Sequence, residues 1–288
     1  MTRTSWDADI ALDIQTDLGD GPLWDHRTNT LLFADLHAGE IYSMEGGRAT
    51  VHGIGQGLGA IGLHGESGYV LGTSRGFSVI DDDGSIREIA DLGLAAGLRM
   101  NDCQVGPDGA FWGGTMPWEV GDGTGPGSVY RLAADGSVHT VIQDVIISNG
   151  IGWSLDQTVM YYVDSARRTI DAFDFDAGVI RNRRVFVRLD EGVPDGLCLD
   201  AEGNIWVAAW GAGQVQRFSP DGELIGVVRV PAHMVTSCCF GGDDLGLLYM
   251  TSGSAGLPPA VRHREHAGAL FVADVGCRGR RANVFRPT

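Results

Sequence analysis

The sequence predicts an all-β fold, a six-bladed β-propeller with a central channel, and its repeats carry that prediction. Short aromatic and β-branched runs begin at residues 31, 69, 111, 160, 205 and 248, about 37 to 50 residues apart. Turn signals and 44 glycines separate them, and helical periodicity is nowhere sustained. Such repeats are typical of four-stranded blades around a channel. Six blades of about 48 residues account for residues 1–288, so we expect a single domain.

Composition excludes several classes of function. A net charge of -16 repels phosphate backbones and anionic lipid, so neither a nucleic acid nor a membrane is expected as a partner. All 21 basic residues are arginine, which excludes Schiff-base chemistry and a P-loop lysine. The five cysteines show no Cys-x-x-Cys spacing and are interpreted as reduced thiols. Neither a long apolar run nor a secretory pattern occurs, which predicts a cytoplasmic protein.

One polar position recurs when the repeats are aligned on their turns. In four repeats a residue five before the turn opens the first strand: Asp20, Asn101, Asn149 and Asp195. In the second repeat this position falls near Gly59, and in the sixth near Thr236 or Ser237. Equivalent positions on successive blades come around the axis at one height. The four side chains should therefore form a ring near one mouth of the channel.

The tripeptide Pro-Asp-Gly around Asp195 occurs twice more, at residues 107–109 and 220–222. In those copies Asp108 and Asp221 lie between two paired strands and are interpreted as hairpin-turn residues. Asp195 lies at the opposite end of its strand from the turn. We therefore expect it to face the channel.

Two carboxylates and two amides converging on one axis would repel each other or remain unsatisfied without a positive charge between them. One divalent cation answers this requirement: oxygen ligands suit Ca²⁺, Mg²⁺ or Mn²⁺, and Zn²⁺ also accepts carboxylate oxygen. From spacing alone, a hydrogen-bonded plug or a purely structural metal site explains the ring as well as an active site does.

Several long segments resemble the gluconolactonase/regucalcin (senescence marker protein) family: "LRMNDCQVGPDGAFWGGTM", "ISNGIGWSLDQTVMYYVDSARRTIDAFDFD", "PDGLCLDAEGNIWVA" and "TSCCFGGDD". The resemblance implies a six-bladed propeller with one divalent metal held by Asp20, Asn149 and Asp195. It also implies that Arg99 and Asn101 contact substrate oxygens, and it places Glu119 near the substrate, although a solvated loop acid is an equal alternative there. In the family the first ligand is usually Glu, whereas this chain has the shorter Asp20.

The resemblance implies hydrolysis of a sugar-acid lactone, with Asp195 orienting or deprotonating the attacking water. Three alternatives stay open: a non-catalytic calcium-binding protein, a broader ester or phosphotriester hydrolase, and a protein-interaction propeller. The expected partner is a small sugar lactone, and the expected assembly is a monomer or a weak homodimer.

Overall fold

A computed structural model describes residues 3–81, 83–121 and 125–288 and confirms the six-bladed propeller. The strands of this part of the chain are, in order, β1 (Thr4–Asp7), β2 (Asp9–Leu12), β3 (Gly19–Asp25), β4 (Thr30–Asp35), β5 (Glu40–Glu45), β6 (Arg48–Gly53), β7 (Leu58–His64), β8 (Gly68–Thr73), β9 (Gly76–Ile80), β10 (Ile86–Asp91), β11 (Leu98–Val105), β12 (Phe111–Pro117), β13 (Gly127–Leu132), β14 (Val138–Val145), β15 (Ser148–Trp153), β16 (Val159–Asp164), β17 (Thr169–Asp176), β18 (Val179–Arg188), β19 (Val193–Leu199), β20 (Ile205–Trp210), β21 (Gln214–Phe218), β22 (Leu224–Arg229), β23 (Val235–Gly241), β24 (Leu247–Ser252), β25 (Leu270–Asp274) and β26 (Val284–Phe285). A short 3-10 turn, Ser165–Arg167, follows β16, and helix α1 (Pro259–Glu265) lies between β24 and β25.

Five blades are antiparallel sheets of consecutive strands: β3–β6 form blade 1, β7–β10 blade 2, β11–β14 blade 3, β15–β18 blade 4 and β19–β22 blade 5. Blade 6 consists of β23, β24 and β25, and the N-terminal strand β2 completes it by pairing antiparallel with β25. Strand β1 pairs in parallel with β22 at the outer edge of blade 5. The chain start therefore joins the last two blades.

The hydrophobic core is divided into wedges between neighbouring blades. In the described residues, each large apolar cluster joins two adjacent sheets. Trp206 of blade 5 meets Phe240 of blade 6 edge to face, with ring centroids 5.8 Å apart. Phe77 and Phe111 do the same between blades 2 and 3, at 5.7 Å. Each fully buried side chain of this size stabilises the fold by roughly 1.5–3 kcal/mol. Because these apolar side chains pack between the blades, the axis is left free for polar groups.

The innermost strand of every blade has an irregularity at the same place. Its pairing with the second strand shifts register directly after or across the aligned polar position, namely between Asp20 and Leu23, Leu58 and Ala60, Met100 and Cys103, Ser148 and Ile151, Pro194 and Leu197, and Val235 and Ser237. A bulge leaves residues out of the ladder and re-aims their side chains. The local fold therefore turns these positions toward the axis.

The channel continues beyond these bulges toward the hairpin turns. This part has a volume of about 150 Å³ and is lined by the innermost strands and by residues 280–283. The C-terminal strand β26 pairs in parallel with β7 on its channel side. Asp108 and Asp221 lie in hairpin turns, as the sequence predicts. No helix in the described ranges is long and apolar enough to cross a membrane.

Candidate metal and substrate site

The four aligned polar residues lie close together at the inner strands, and Arg99 lies beside them. All five side chains are between 2 and 9% exposed: Asp20, Arg99, Asn101, Asn149 and Asp195. They come from the innermost strands of blades 1, 3, 4 and 5, where the bulges hold them. The sequence alignment thus places them together correctly.

A chain of hydrogen bonds fixes the amide of Asn149. Asn101 Nδ2 donates to Asn149 Oδ1 at 3.1 Å, and Asn149 Nδ2 donates to the hydroxyl of Ser165 at 2.8 Å. Ser165 Oγ donates its one proton to the Pro194 carbonyl, 2.7 Å away. Because that proton is used, Ser165 can only accept from Asn149. This assigns the nitrogen of Asn149 to the Ser165 side and its oxygen to the Asn101 side.

Burial leaves the two ring carboxyls short of compensation. Burial raises the pKa of Asp20 to about 6, although the Gly21 amide, donating at 2.8 Å, and Arg99 both act to lower it. Burial also raises the pKa of Asp195 well above its ordinary value, and the charge of Asp20 raises it further. The two carboxylates are thus close enough to repel each other, and a cation between them would remove the penalty.

Asp102 is a third acid at this place, and the sequence analysis did not select it. It follows Asn101 within the bulge of β11 and faces the cavity on the hairpin-turn side of the ring. Burial and the charge of Asp20 raise its pKa to about 8. Asp20 therefore interacts with two further carboxyls, those of Asp102 and Asp195. The adjacent pair Asn-Asp at 101–102 was the available signal, since a bulge can turn two successive residues inward.

The residues present fit one divalent cation. Asp20 and Asp195 supply anionic oxygens, and the orientation of Asn149 leaves its carbonyl oxygen on the ring side, which is the donor set of hard cations. In the described part of the chain, no group of three or more His, Cys, Asp or Glu side chains is arranged to hold a metal. A three-residue site in the ring therefore depends on the amide of Asn149.

Arg99 carries unused donors into the site. Its Nη1 donates to the Met100 carbonyl at 3.0 Å and to Asn101 Oδ1 at 2.7 Å. Its Nε is buried, and no residue of the described ranges accepts from it. Burial lowers the pKa of Arg99 to about 10, while Asp20 and Asp195 act to raise it, so the group stays cationic at neutral pH. An unpaired buried donor favours an oxygen ligand.

Glu119 is the outlying candidate. It lies in the loop after β12, is exposed, and has no ion pair or hydrogen bond with another described residue. The structure does not bring it into contact with the ring, and its role near a substrate stays a prediction. The neighbouring Trp118, which the sequence analysis did not select, does touch the site: its ring lies 5.4 Å from the Arg99 guanidinium carbon.

Comparison with known proteins identifies the family. Residues 18–254, most of the chain, match the family described as SMP-30/Gluconolactonase/LRE-like region. The chain belongs to the SMP-30/gluconolactonase/LRE-like family. This confirms the resemblance carried by the sequence motifs.

Relatives of this SMP-30/gluconolactonase chain include proteins named regucalcin. The Xenopus laevis regucalcin is 35% identical over 282 residues, covering 93% of this chain and 94% of its own. The human regucalcin is 33% identical over 279 residues, with 91% and 92% covered. The family membership is therefore supported along almost the full length.

Solved structures of the same family share the fold. A calcium-binding protein, regucalcin, from Agrobacterium tumefaciens superposes with a TM-score of 0.93 at 30% identity, covering 99% of this chain and 100% of its own. A gluconolactonase from Xanthomonas campestris gives a TM-score of 0.75 at 26% identity, covering 91% and 87%. Both support the propeller architecture of this family member.

Proposed function

We propose that this protein hydrolyses the lactone ring of a sugar acid, with one divalent cation bound in the channel ring. One observation carries the proposal: two buried carboxyls with raised pKa values, Asp20 and Asp195, share a ring with an oriented amide oxygen and a cationic donor. Such a constellation suits chemistry on a carbonyl group. The similarity to a protein described as a gluconolactonase supports it.

In this proposal Asp20, Asn149 and Asp195 hold the metal. When bound, a divalent cation polarises a carbonyl and stabilises the negative charge that develops on its oxygen. Asp195 orients the attacking water and accepts its proton, because a carboxylate that gives one oxygen to a cation keeps its second oxygen for that water.

Arg99 and Asn101 bind the substrate oxygens. Arg99 offers its unpartnered Nε and cannot act as a base at neutral pH. Asn101 spends its Nδ2 on the Ser148 carbonyl at 2.8 Å and on Asn149, and its Oδ1 accepts from Arg99. The second lone pair of that oxygen is left to accept from a sugar hydroxyl.

A second candidate is calcium binding without catalysis. The specific observation in its favour is the close structural match to a protein described as calcium-binding, at a TM-score of 0.93. The same ring would serve both functions, so only turnover distinguishes them.

The test measures hydrolysis of glucono-, galactono-, xylono- and arabinonolactone after chelation and after return of Ca²⁺, Mg²⁺, Mn²⁺ or Zn²⁺ singly. We expect turnover with at least one metal and none after chelation. Loss of a catalytic base typically costs about 10²- to 10⁴-fold in rate, which is the decrease expected for Asp195→Asn. Asp221→Asn is the matched control, because Asp221 lies in the same tripeptide but in an exposed turn.

Two outcomes would contradict the lactonase proposal. One is metal binding without hydrolysis of any lactone in the panel, which would favour the calcium-binding candidate. The other is equal turnover by wild type and Asp195→Asn. Organophosphate substrates belong in the same panel, since faster turnover of these would favour a phosphotriester hydrolase.

A further inference from the structure

A half-exposed tryptophan lies at the mouth of the ring. Trp118 directly follows β12, its side chain is 40% exposed, and its backbone amide donates to the Gly97 carbonyl at 2.8 Å. Its ring faces the guanidinium of Arg99 at 5.4 Å. A large apolar surface beside a buried polar site marks a place for a ligand.

The Trp118 ring also lies close to Gly57, which directly precedes β7 of blade 2. A Cβ atom built on Gly57 would lie 2.5 Å from Cη2 and 3.0 Å from Cζ2 of that ring. The next nearest atom, Cβ of Ser74, is 3.4 Å away, which is ordinary contact, and the backbone of Gly57 is outside the left-handed region. A larger residue at Gly57 would therefore clash with the Trp118 ring. The ring lies between Gly57, at the start of blade 2, and Arg99 of blade 3.

These contacts hold Trp118 and Arg99 as one unit. Arg99 uses only Nη1 in its side-chain hydrogen bonds with described residues, and the indole lies over its guanidinium carbon. A cation–π pair contributes about 0.5–1 kcal/mol when exposed and about 2 when desolvated. Removing the indole would free the guanidinium to move and to be hydrated.

We propose that Trp118 is a positioning and specificity-determining residue: it packs against the apolar C–H face of a cyclic polyol ligand and holds Arg99 for that ligand's oxygens. This rests on the proposed function, because it names the substrate class of the same site. A sugar lactone presents both a C–H face and oxygens, so it satisfies the indole and the guanidinium together. An anion without an apolar face would engage only Arg99.

The test compares Trp118→Ala, Trp118→Phe, Trp118→Leu and Gly57→Ala in steady-state hydrolysis of gluconolactone and in calorimetric titration with gluconate. Loss of about 1–2 kcal/mol of binding corresponds to about 5- to 30-fold, and we expect KM and the gluconate Kd to rise by that factor in Trp118→Ala. The value of kcat should fall less than KM rises. Phenylalanine should restore most of the loss and leucine little, because leucine keeps bulk without a π face.

Gly57→Ala probes the same ring without altering it. Its new methyl group must displace the indole, so it should raise KM as Trp118→Ala does, and it should add nothing when combined with Trp118→Ala. Gly53→Ala is the matched control, because a Cβ there meets nothing within 4 Å. Val120→Ala controls for the loop, since Val120 is 65% exposed. Both controls should behave as wild type.

The outcomes separate the two proposals. Wild-type turnover with an unchanged KM in Trp118→Ala, or equal KM values for the phenylalanine and leucine variants, would overturn the role of Trp118 and leave the lactonase proposal standing. If the wild type hydrolyses no lactone, the gluconate titration alone tests the role of Trp118. Equal affinity of wild type and Trp118→Ala, or no affinity in either, would then overturn the inference.

Discussion

Ser165 never needs to touch a metal or a substrate, yet Ser165→Ala should weaken metal binding. The hydroxyl accepts from Asn149 at 2.8 Å and donates to the Pro194 carbonyl at 2.7 Å, and it is 6% exposed. Without it the Asn149 amide loses the contact that fixes which end faces the ring. Loss of such an outer partner typically costs about 10- to 100-fold in metal affinity. Leaving a buried donor unsatisfied costs a further ~1–3 kcal/mol of stability.

The assay is calorimetric titration of each divalent cation into chelator-treated protein, beside chemical denaturation. Ser252→Ala is the control: Ser252 is also buried and also makes two side-chain hydrogen bonds, to the Ala269 carbonyl at 2.9 Å and from the Gly268 amide at 3.0 Å. It should lose comparable stability and keep full metal affinity. The reasoning is refuted if Ser165→Ala binds metal within about threefold of wild type.

Four further predictions concern charge. Asp20→Asn should raise the free energy of unfolding of the metal-free protein by at most ~3 kcal/mol at pH 7, measured by denaturation, because it removes a buried charge whose pKa is raised from 3.8 to about 6. For the same reason, the metal-free wild type should become more stable as pH falls from 7 through 6. The metal affinity of the wild type, measured by titration at each pH, should fall as pH falls, because the raised pKa values of Asp20 and Asp195 mean that both ligands must lose a proton before they bind the cation. Burial alone would raise the pKa of Asp200, but its hydrogen bonds and its ion pair with Arg217 at 2.7 Å lower it. The stability that ionised Asp200 contributes is fully present above the pKa of this group in the unfolded chain. It is lost as pH falls through the lower pKa of Asp200 in the folded protein. Asp200→Asn should therefore lower the free energy of unfolding by ~3–5 kcal/mol in denaturation, whereas Asp244→Asn, in an exposed pair, should leave it nearly unchanged.

The sequence predicted the blades and the ring because both follow from periodicity. The six aromatic runs are the second strands β4, β8, β12, β16, β20 and β24, and the aligned polar position coincides with the bulge in each innermost strand. The spacing of the repeats therefore predicted that the aligned residues lie at the same height along the channel axis. The spacing could not predict which side-chain atoms form contacts in the ring, because these contacts depend on rotamers and on neighbouring blades.

Three features of the site could be found only in the structure. Asp102 lies one residue from a predicted ring member, but alternation along a regular strand would point it away, and only the bulge turns it inward. Trp118 reaches Arg99 from a loop, where no periodicity operates. Ser165 stands at the end of the fourth aromatic run, visible in the sequence, but its contacts with Asn149 and Pro194 join two blades.

The bulge occurs in all six blades, yet the pocket it builds is lopsided, and Gly59 explains why. A Cβ there would lie 2.5 Å from the Asn101 carbonyl oxygen and 2.9 Å from the Met100 carbonyl, so backbone occupies the place where blade 2 would present a side chain. The steric exclusion of a side chain at Gly59 thus breaks the six-fold symmetry of the bulges. Blade 2 therefore contributes no side chain to the ring, and the polar groups come from blades 1, 3, 4 and 5. A single position that tolerates nothing larger than hydrogen thus makes a six-fold repeated fold asymmetric at its axis.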